Sequence, residues 1–115
     1  MHMKAINLDG VVMCVSSTGD RGVVDANTRL YFTQKGTSVF ARYSGGSVTR
    51  GCLVGTISGA KLAFRYTQLE NSRQIHGGRS ICEVQRSAQA GLRVVEHFTW
   101  RTRSGGGTNI FDEIR

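Results

Sequence analysis

The chain has 115 residues and a mass of 12.6 kDa, which is enough to bury a core in one domain, residues 1–115, without disulfides or metals. It has 15 glycines and no proline, a composition typical of many short strands joined by glycine turns. It shows no apolar run near the roughly 18 residues that cross a bilayer and no signal-peptide pattern. We therefore expect a soluble cytoplasmic protein with no membrane partner.

The net charge of +7 comes from 12 arginines and three lysines against eight acidic residues, and it favours anionic partners. The arginines are scattered along predicted strands, so we expect them to form a solvated outer face. Cys14, Cys52 and Cys82 are odd in number and lack the close Cys/His spacing of a zinc site. We expect three free, small buried thiols, no metal site and no cofactor.

Alternating polarity predicts about eight strands. In chain order they are Val11–Val15, Asn27–Gln34, Thr37–Tyr43, Val48–Ile57, Ala60–Leu69, Gln74–Arg86, Gly91–Arg101 and Thr108–Ile114. The longest connection is the loop over residues 16–26, and nearly every other connection is short, so successive strands should be antiparallel neighbours. We predict an all-β fold, a single antiparallel up-and-down β-barrel whose interior holds side chains or one small ligand.

The longest alternating strand, Gly91–Arg101, places one carboxylate among large apolar side chains. Its predicted inward face consists of Leu92, Val94, Glu96, Phe98 and Trp100. An ionised carboxylate there needs hydrogen-bond donors or a raised pKa. The candidate donors for Glu96 are Tyr66, Gln68 and Arg50.

The strand Ala60–Leu69 is the second clearest, with Leu62, Phe64, Tyr66 and Gln68 facing inward. The inward sides of Thr37–Tyr43, Val48–Ile57 and Gln74–Arg86 stay open. Within Val48–Ile57, Gly51 and Gly55 share a face and indicate bends where the sheet curls.

Four motifs together resemble a family of small, uncharacterised bacterial proteins, over most of the chain from about Leu8. They are Tyr43-Ser44-Gly45-Gly46, the Gly51–Gly55 segment, Phe64-Arg65-Tyr66 and the segment from Glu96 to Trp100. The resemblance implies a lipocalin-like or avidin-like barrel, with polar motif positions at Tyr43, Arg65, Tyr66, Glu96 and Trp100. Members often carry a tryptophan where this chain has Phe98. The several tryptophans of an avidin biotin pocket are absent, so biotin is not the expected ligand.

Members of this family are sometimes labelled N-acetylglutamate synthase in genomes. An acetyltransferase that uses acyl-CoA needs an Arg/Gln-x-x-Gly-x-Gly/Ala loop that leads into a helix N-terminus. The nearest match, Arg42 to Ser47, ends in serine and leads into a predicted strand. The residues therefore argue against this activity.

The inward polar residues predict a small-molecule pocket at one end of the barrel, with an apolar wall and a few polar groups. The candidate ligand-binding residues are Tyr43, Arg50, Tyr66, Gln68, Glu83, Glu96 and Trp100. The competing interpretation is a filled barrel. A Glu83/Glu96 pair could serve acid–base chemistry, but no nucleophile, motif or metal set accompanies it. We expect a binding module with no catalytic residues.

Two other functions stay open. Nucleic-acid binding is suggested by Arg42-Tyr43, Phe64-Arg65-Tyr66 and Trp100-Arg101, but neighbours on a strand point to opposite faces and cannot form one stacking platform. Aromatic residues inside and arginines outside explain these pairs better. A dimerisation or scaffold module, such as a homodimer, is the third possibility.

Overall fold

Eight antiparallel strands form the whole regular structure of the part of the chain that the computed structural model describes, residues 5–19, 21–87 and 91–114. The strands are β1 (Val12–Ser17), β2 (Arg29–Lys35), β3 (Ser38–Gly45), β4 (Val48–Ser58), β5 (Lys61–Glu70), β6 (Ile75–Ser87), β7 (Gly91–Trp100) and β8 (Gly106–Glu113). Each pairs with its neighbours in the chain, and β1 pairs with β8, so the sheet closes. The predicted eight-stranded up-and-down barrel is confirmed. No helix within the described ranges is long and apolar enough to span a bilayer.

Strict alternation along β5 and β7 fills the interior as predicted. Leu62 and Val94 have no exposed surface, and every second residue from Leu62 to Gln68 and from Leu92 to Trp100 is buried. The same alternation turns Val39, Ala41 and Tyr43 of β3 inward. Because a period of two matches the pleat, the sequence assigns the inward faces of β5 and β7 directly, whereas it left the inward side of β3 open.

A β-bulge decides the side of β4 that faces inward. The register shifts between Val48 and Arg50, so one extra residue changes the phase of the alternation. Val48 and Leu53 are both buried, whereas Arg50, Cys52 and Val54 are exposed. The expectation of three buried thiols is therefore wrong for Cys52, and it holds in full only for Cys82, since Cys14 is half-buried.

The glycines of the strands make room for aromatic rings. A Cβ atom added at Gly51 would collide with the ring of Tyr43, and one at Gly78 would collide with the phenol of Tyr66. Gly55 lies directly against the backbone of β5, at Ala63 and Phe64. These positions are therefore fixed by close packing inside the barrel, in addition to any bending of the sheet.

One end of the barrel, here called the upper end, carries the β3–β4, β5–β6 and β7–β8 turns and the long β1–β2 connection. This connection, residues 18–28 with Asp20 outside the described residues, is called the lid loop. Val23 and Val24 of the lid loop are partly buried and pack against the core. The lid loop therefore closes the upper end over the inward side chains of β3, β5 and β7.

Candidate ligand-binding site

A small cavity lies beneath the lid loop, and residues of six strands, β2 to β5, β7 and β8, line it. Tyr43 of β3, Tyr66 and Gln68 of β5, and Glu96 and Trp100 of β7 all line it. Its volume is about 30 Å³, which is room for about one or two water molecules. Gly22, Val23 and Val24 of the lid loop form part of its lining. The structure thus brings together five of the seven candidate residues.

The other two candidates, Arg50 and Glu83, lie on the outer wall and do not reach this cavity. Arg50 faces outward because the bulge in β4 turns the Leu53 side inward. Glu83 is exposed on β6, opposite Lys61 on one neighbouring strand and Val95 on the other. Glu83 and Glu96 therefore point to opposite sides of the sheet and form no carboxylate pair.

Glu96 is buried, as predicted, but its hydrogen-bond donors differ from the expected ones. The Ser80 hydroxyl donates to Oε2 at 2.5 Å, and Asn109 Nδ2 donates to Oε1 at 2.8 Å. Burial raises the pKa of Glu96, and the two hydrogen bonds offset that effect only in part. The neutral acid form of Glu96 is therefore more favoured inside the barrel than it would be in water.

Ser80 and Asn109 belong to the site although the sequence did not single them out. Ser80 faces inward from β6, whose phase the sequence leaves open, and pairs with Phe98. Asn109 pairs directly with Glu96 across β7 and β8. An inward asparagine within the alternation of the last strand is the signal that could have identified this partner.

A second polar chain runs from the cavity to the rim. The Tyr43 hydroxyl donates to Gln68 Oε1 at 2.8 Å, and Gln68 Nε2 donates to Glu70 Oε2 at 2.9 Å. Glu70 also pairs with Arg103 at 2.8 Å. Burial alone would raise the pKa of Glu70, but the hydrogen bonds from Arg103 and Gln68 lower it below its usual value. The carboxylate at the rim is therefore held ionised, in contrast to Glu96.

The Tyr66 hydroxyl is buried in the cavity wall without a hydrogen-bond partner among the described residues. Its ring lies edge-on against Trp100, with ring centroids 5.5 Å apart. Burial and the nearby Glu96 carboxyl raise the pKa of Tyr66, so the hydroxyl keeps its proton. It is a fixed donor that the described residues do not use.

The Trp100 indole joins the barrel to the lid loop. Its Nε1–H donates to the Arg21 carbonyl at 2.9 Å, while the Arg103 guanidinium lies 4.6 Å from the ring centroid. A second contact, from the Thr18 hydroxyl to Asn109 Oδ1 at 2.7 Å, ties the lid loop to the partner of Glu96. The same side chains thus line the cavity and hold its cover.

The sequence profile of the avidin-like proteins matches residues 6–114. The chain belongs to the avidin-like family. The match spans all eight strands of the barrel, in agreement with the resemblance drawn from its motifs. No curated protein and no solved structure gives a significant match to the chain.

This avidin-like barrel has one tryptophan, Trp100, and the inward position two residues earlier is Phe98. The two rings pack edge to face with centroids 5.8 Å apart. The wall of the cavity is therefore built from one indole, two phenols and three phenyl rings, together with aliphatic side chains and the polar Gln68, Glu96 and Asn109.

The pH dependence of stability should separate Glu96 from the carboxylates at the surface. Because folding raises the pKa of Glu96, this residue contributes most to stability at pH values below its pKa in the unfolded chain. That contribution to stability falls as pH rises through the higher pKa of Glu96 in the folded protein. Glu96→Gln should therefore gain stability relative to the wild type between acidic and neutral pH. Urea unfolding followed by circular dichroism at several pH values measures this difference.

Asp112→Asn is the matched control with the opposite sign. A hydrogen bond from Arg93 lowers the pKa of Asp112 in the folded protein. Asp112 therefore stabilises the fold at pH values above its pKa in the unfolded chain, and this stabilisation is lost as pH falls through its lower pKa in the folded protein. This variant should lose stability near neutral pH and approach the wild type in acid. A Glu96→Gln difference that does not change with pH would contradict the placement of a titrating carboxyl inside the barrel.

Proposed function

We propose that this avidin-like barrel binds a small, uncharged polar molecule at its upper end, beneath the lid loop. The observation that carries the proposal is the Tyr66 hydroxyl, a buried donor without a partner in the described chain, on a side chain that lines the cavity. Buried polar groups are nearly always hydrogen-bonded, so such a group indicates a partner that is not part of the protein. Membership of the avidin-like family supports the binding of small ligands as a class.

Binding of anything larger than water requires the lid loop to move. Small-molecule pockets usually enclose about 300–1,000 Å³, whereas the closed cavity has about 30 Å³. Displacement of Val23 and Val24 would open the cavity from above, because both residues line it. The same movement would free the Trp100 indole N–H from the Arg21 carbonyl. A ligand acceptor would then replace that carbonyl.

The groups around the opened cavity select the chemistry of the ligand. Tyr66 and Trp100 offer two donors, and Glu96 offers carboxyl oxygens that accept an N–H or O–H. The aromatic walls favour a compact, flat molecule. No lysine, arginine or histidine lines the described cavity to pair with a buried anion. A cation would enter past Arg103 into a protein of net charge +7. An amide-like molecule, with one acceptor and one donor close together, fits best.

The test is a thermal-shift screen of small uncharged amides, lactams and alcohols against the wild type, Tyr66→Phe and Tyr43→Phe. A ligand at 100 times its Kd should stabilise the wild type by about 2.7 kcal/mol. Tyr66→Phe removes only the unpartnered hydroxyl, so the free protein should be at least as stable as the wild type but should lose most of the ligand-induced shift.

Tyr43→Phe is the matched control, because it removes a hydroxyl that is already used. Loss of its hydrogen bond to Gln68 should lower the free energy of unfolding by about 1 kcal/mol. A screen without hits, or hits that stabilise Tyr66→Phe as much as the wild type, would overturn the proposal. A Tyr66→Phe variant less stable than Tyr43→Phe would show that the Tyr66 hydroxyl serves the fold.

A further inference from the structure

The outer wall of β2 to β6 carries exposed aromatic rings together with unpaired arginines. We call this region the outer basic face, and it consists of Tyr31, Phe40, Arg42, Arg50, Arg65 and Arg79. Tyr31 is 46% exposed and Phe40 is 41% exposed. The two rings are an exception to the predicted rule that aromatic residues point inward and arginines outward, since here both kinds of side chain share the outside.

The strand register places these residues side by side. Phe40, Val54, Arg65 and Arg79 stand opposite one another in turn across β3, β4, β5 and β6. Neighbouring strands are about 4.8 Å apart, so this row spans about 15 Å. Tyr31 stands opposite Arg42, two residues along β3 from Phe40 and on the same face, and the Arg42 guanidinium lies 6.0 Å from the Tyr31 ring centroid. Tyr31 and Phe40 are therefore diagonal neighbours, about 7–8 Å apart.

The charge of this face calls for an anionic partner. In the described part of the chain, carboxylate ion pairs form at Arg93 and Arg103, so the four arginines of the outer basic face have no carboxylate partner. A second copy docking through the same face would bring these arginines against each other, since a two-fold interface pairs identical patches. Self-association therefore does not fit this surface.

We propose that the outer basic face binds single-stranded nucleic acid. The arginines would contact backbone phosphates, and Tyr31 and Phe40 would stack on successive bases, which is the combination that single-strand binding surfaces use. A duplex keeps its bases stacked and paired, so it could engage the charge but not the two rings. The site is on the outside of the wall and shares no residue with the cavity beneath the lid loop.

Fluorescence anisotropy with a labelled oligothymidine, longer than about 16 nucleotides, the upper limit for one single-strand binding fold, provides the test. Phe40→Ser and Tyr31→Ser should each weaken binding about tenfold, within the range for loss of one stacked base. Ile114→Ser, which changes an exposed apolar residue just after β8 and outside the outer basic face, should leave binding unchanged. Arg65→Ala should reduce the salt dependence by about one phosphate contact, whereas Arg93→Ala, on β7, should not.

Four results of the binding experiments would overturn the proposal. They are the absence of binding at low salt, equal affinity for a duplex of the same length, equal weakening by the control substitutions, and tighter binding of a poly-glutamate peptide than of the oligonucleotide. Equal weakening by the controls would assign the binding to diffuse charge, and tighter peptide binding would assign the face to an acidic protein. Dimers lost on Phe40→Ser, seen by analytical ultracentrifugation without nucleic acid, would also contradict it.

Discussion

Trp100→Ala should lower the free energy of unfolding by about 3–5 kcal/mol, the cost of truncating a buried tryptophan. The indole is 7% exposed and packs edge-on against Tyr66, Phe98 and His76. The substitution also removes the hydrogen bond that holds the Arg21 carbonyl of the lid loop. Chemical denaturation followed by circular dichroism is the measurement, because the variant contains no tryptophan for fluorescence. A cost below about 1 kcal/mol, the level of one hydrogen bond, would contradict the packing described for the upper end.

Trp100→Phe separates the role of the indole in the lid from its role in packing. It keeps an aromatic ring in the wall but cannot donate to the Arg21 carbonyl. Amide hydrogen exchange should therefore become faster at Gly22, whose N–H bonds to Gly19 within the lid loop, while the amides of β5 keep their protection. Uniformly faster exchange in both places would mean that Trp100 stabilises the barrel as a whole without holding the lid loop in particular.

Gly55→Ala should lower the free energy of unfolding by about 3 kcal/mol, at the upper end of the cost of overpacking a core. The added methyl group would collide with the Ala63 carbonyl and with Cα and Cβ of Phe64. Two of these atoms belong to the backbone of the paired strand, so no side-chain rotation can relieve the contact. Denaturant unfolding of the purified variant measures the loss.

Gly59→Ala is the matched control, because it adds the same methyl group in open space. Gly59 has a φ of +60° and nothing within 4 Å of an added Cβ atom. Its expected cost is that of a left-handed backbone alone, about 1–2 kcal/mol. If Gly55→Ala cost no more than Gly59→Ala, the close approach of β4 and β5 at Gly55 would be wrong.

The barrel follows from the sequence because its determinants are local. Alternation along Leu62 to Gln68 and along Leu92 to Trp100 assigns the inward faces without knowledge of any partner strand. The side of β4 could not be assigned in the same way. Its bulge at Val48 and Arg50 exists only through its pairing with β5, so the misplacement of Arg50 reflects a tertiary feature.

The site was predictable in its location but not in its bonding. Inward polar residues on β5 and β7 identified Tyr66, Gln68 and Glu96, since each breaks an apolar face. The donors to Glu96 are Ser80 and Asn109, which are 16 and 13 residues away in the chain and depend on the register of β6 and β8. The lid loop was recognisable as a long connection, but its contact with Trp100 spans 79 residues.

The most direct test of ligand binding beneath the lid loop is the indole N–H signal of Trp100 in a ¹H–¹⁵N NMR titration. Trp100 is the only tryptophan in the chain, so this signal needs no further assignment. With the strongest hit of the thermal-shift screen, the signal should shift on a saturable curve whose Kd agrees with the thermal stabilisation, together with the amides of Gly22 and Val23. An unchanged indole signal, with shifts confined to residues of the outer wall such as Arg65 and Ile81, would contradict the proposed site.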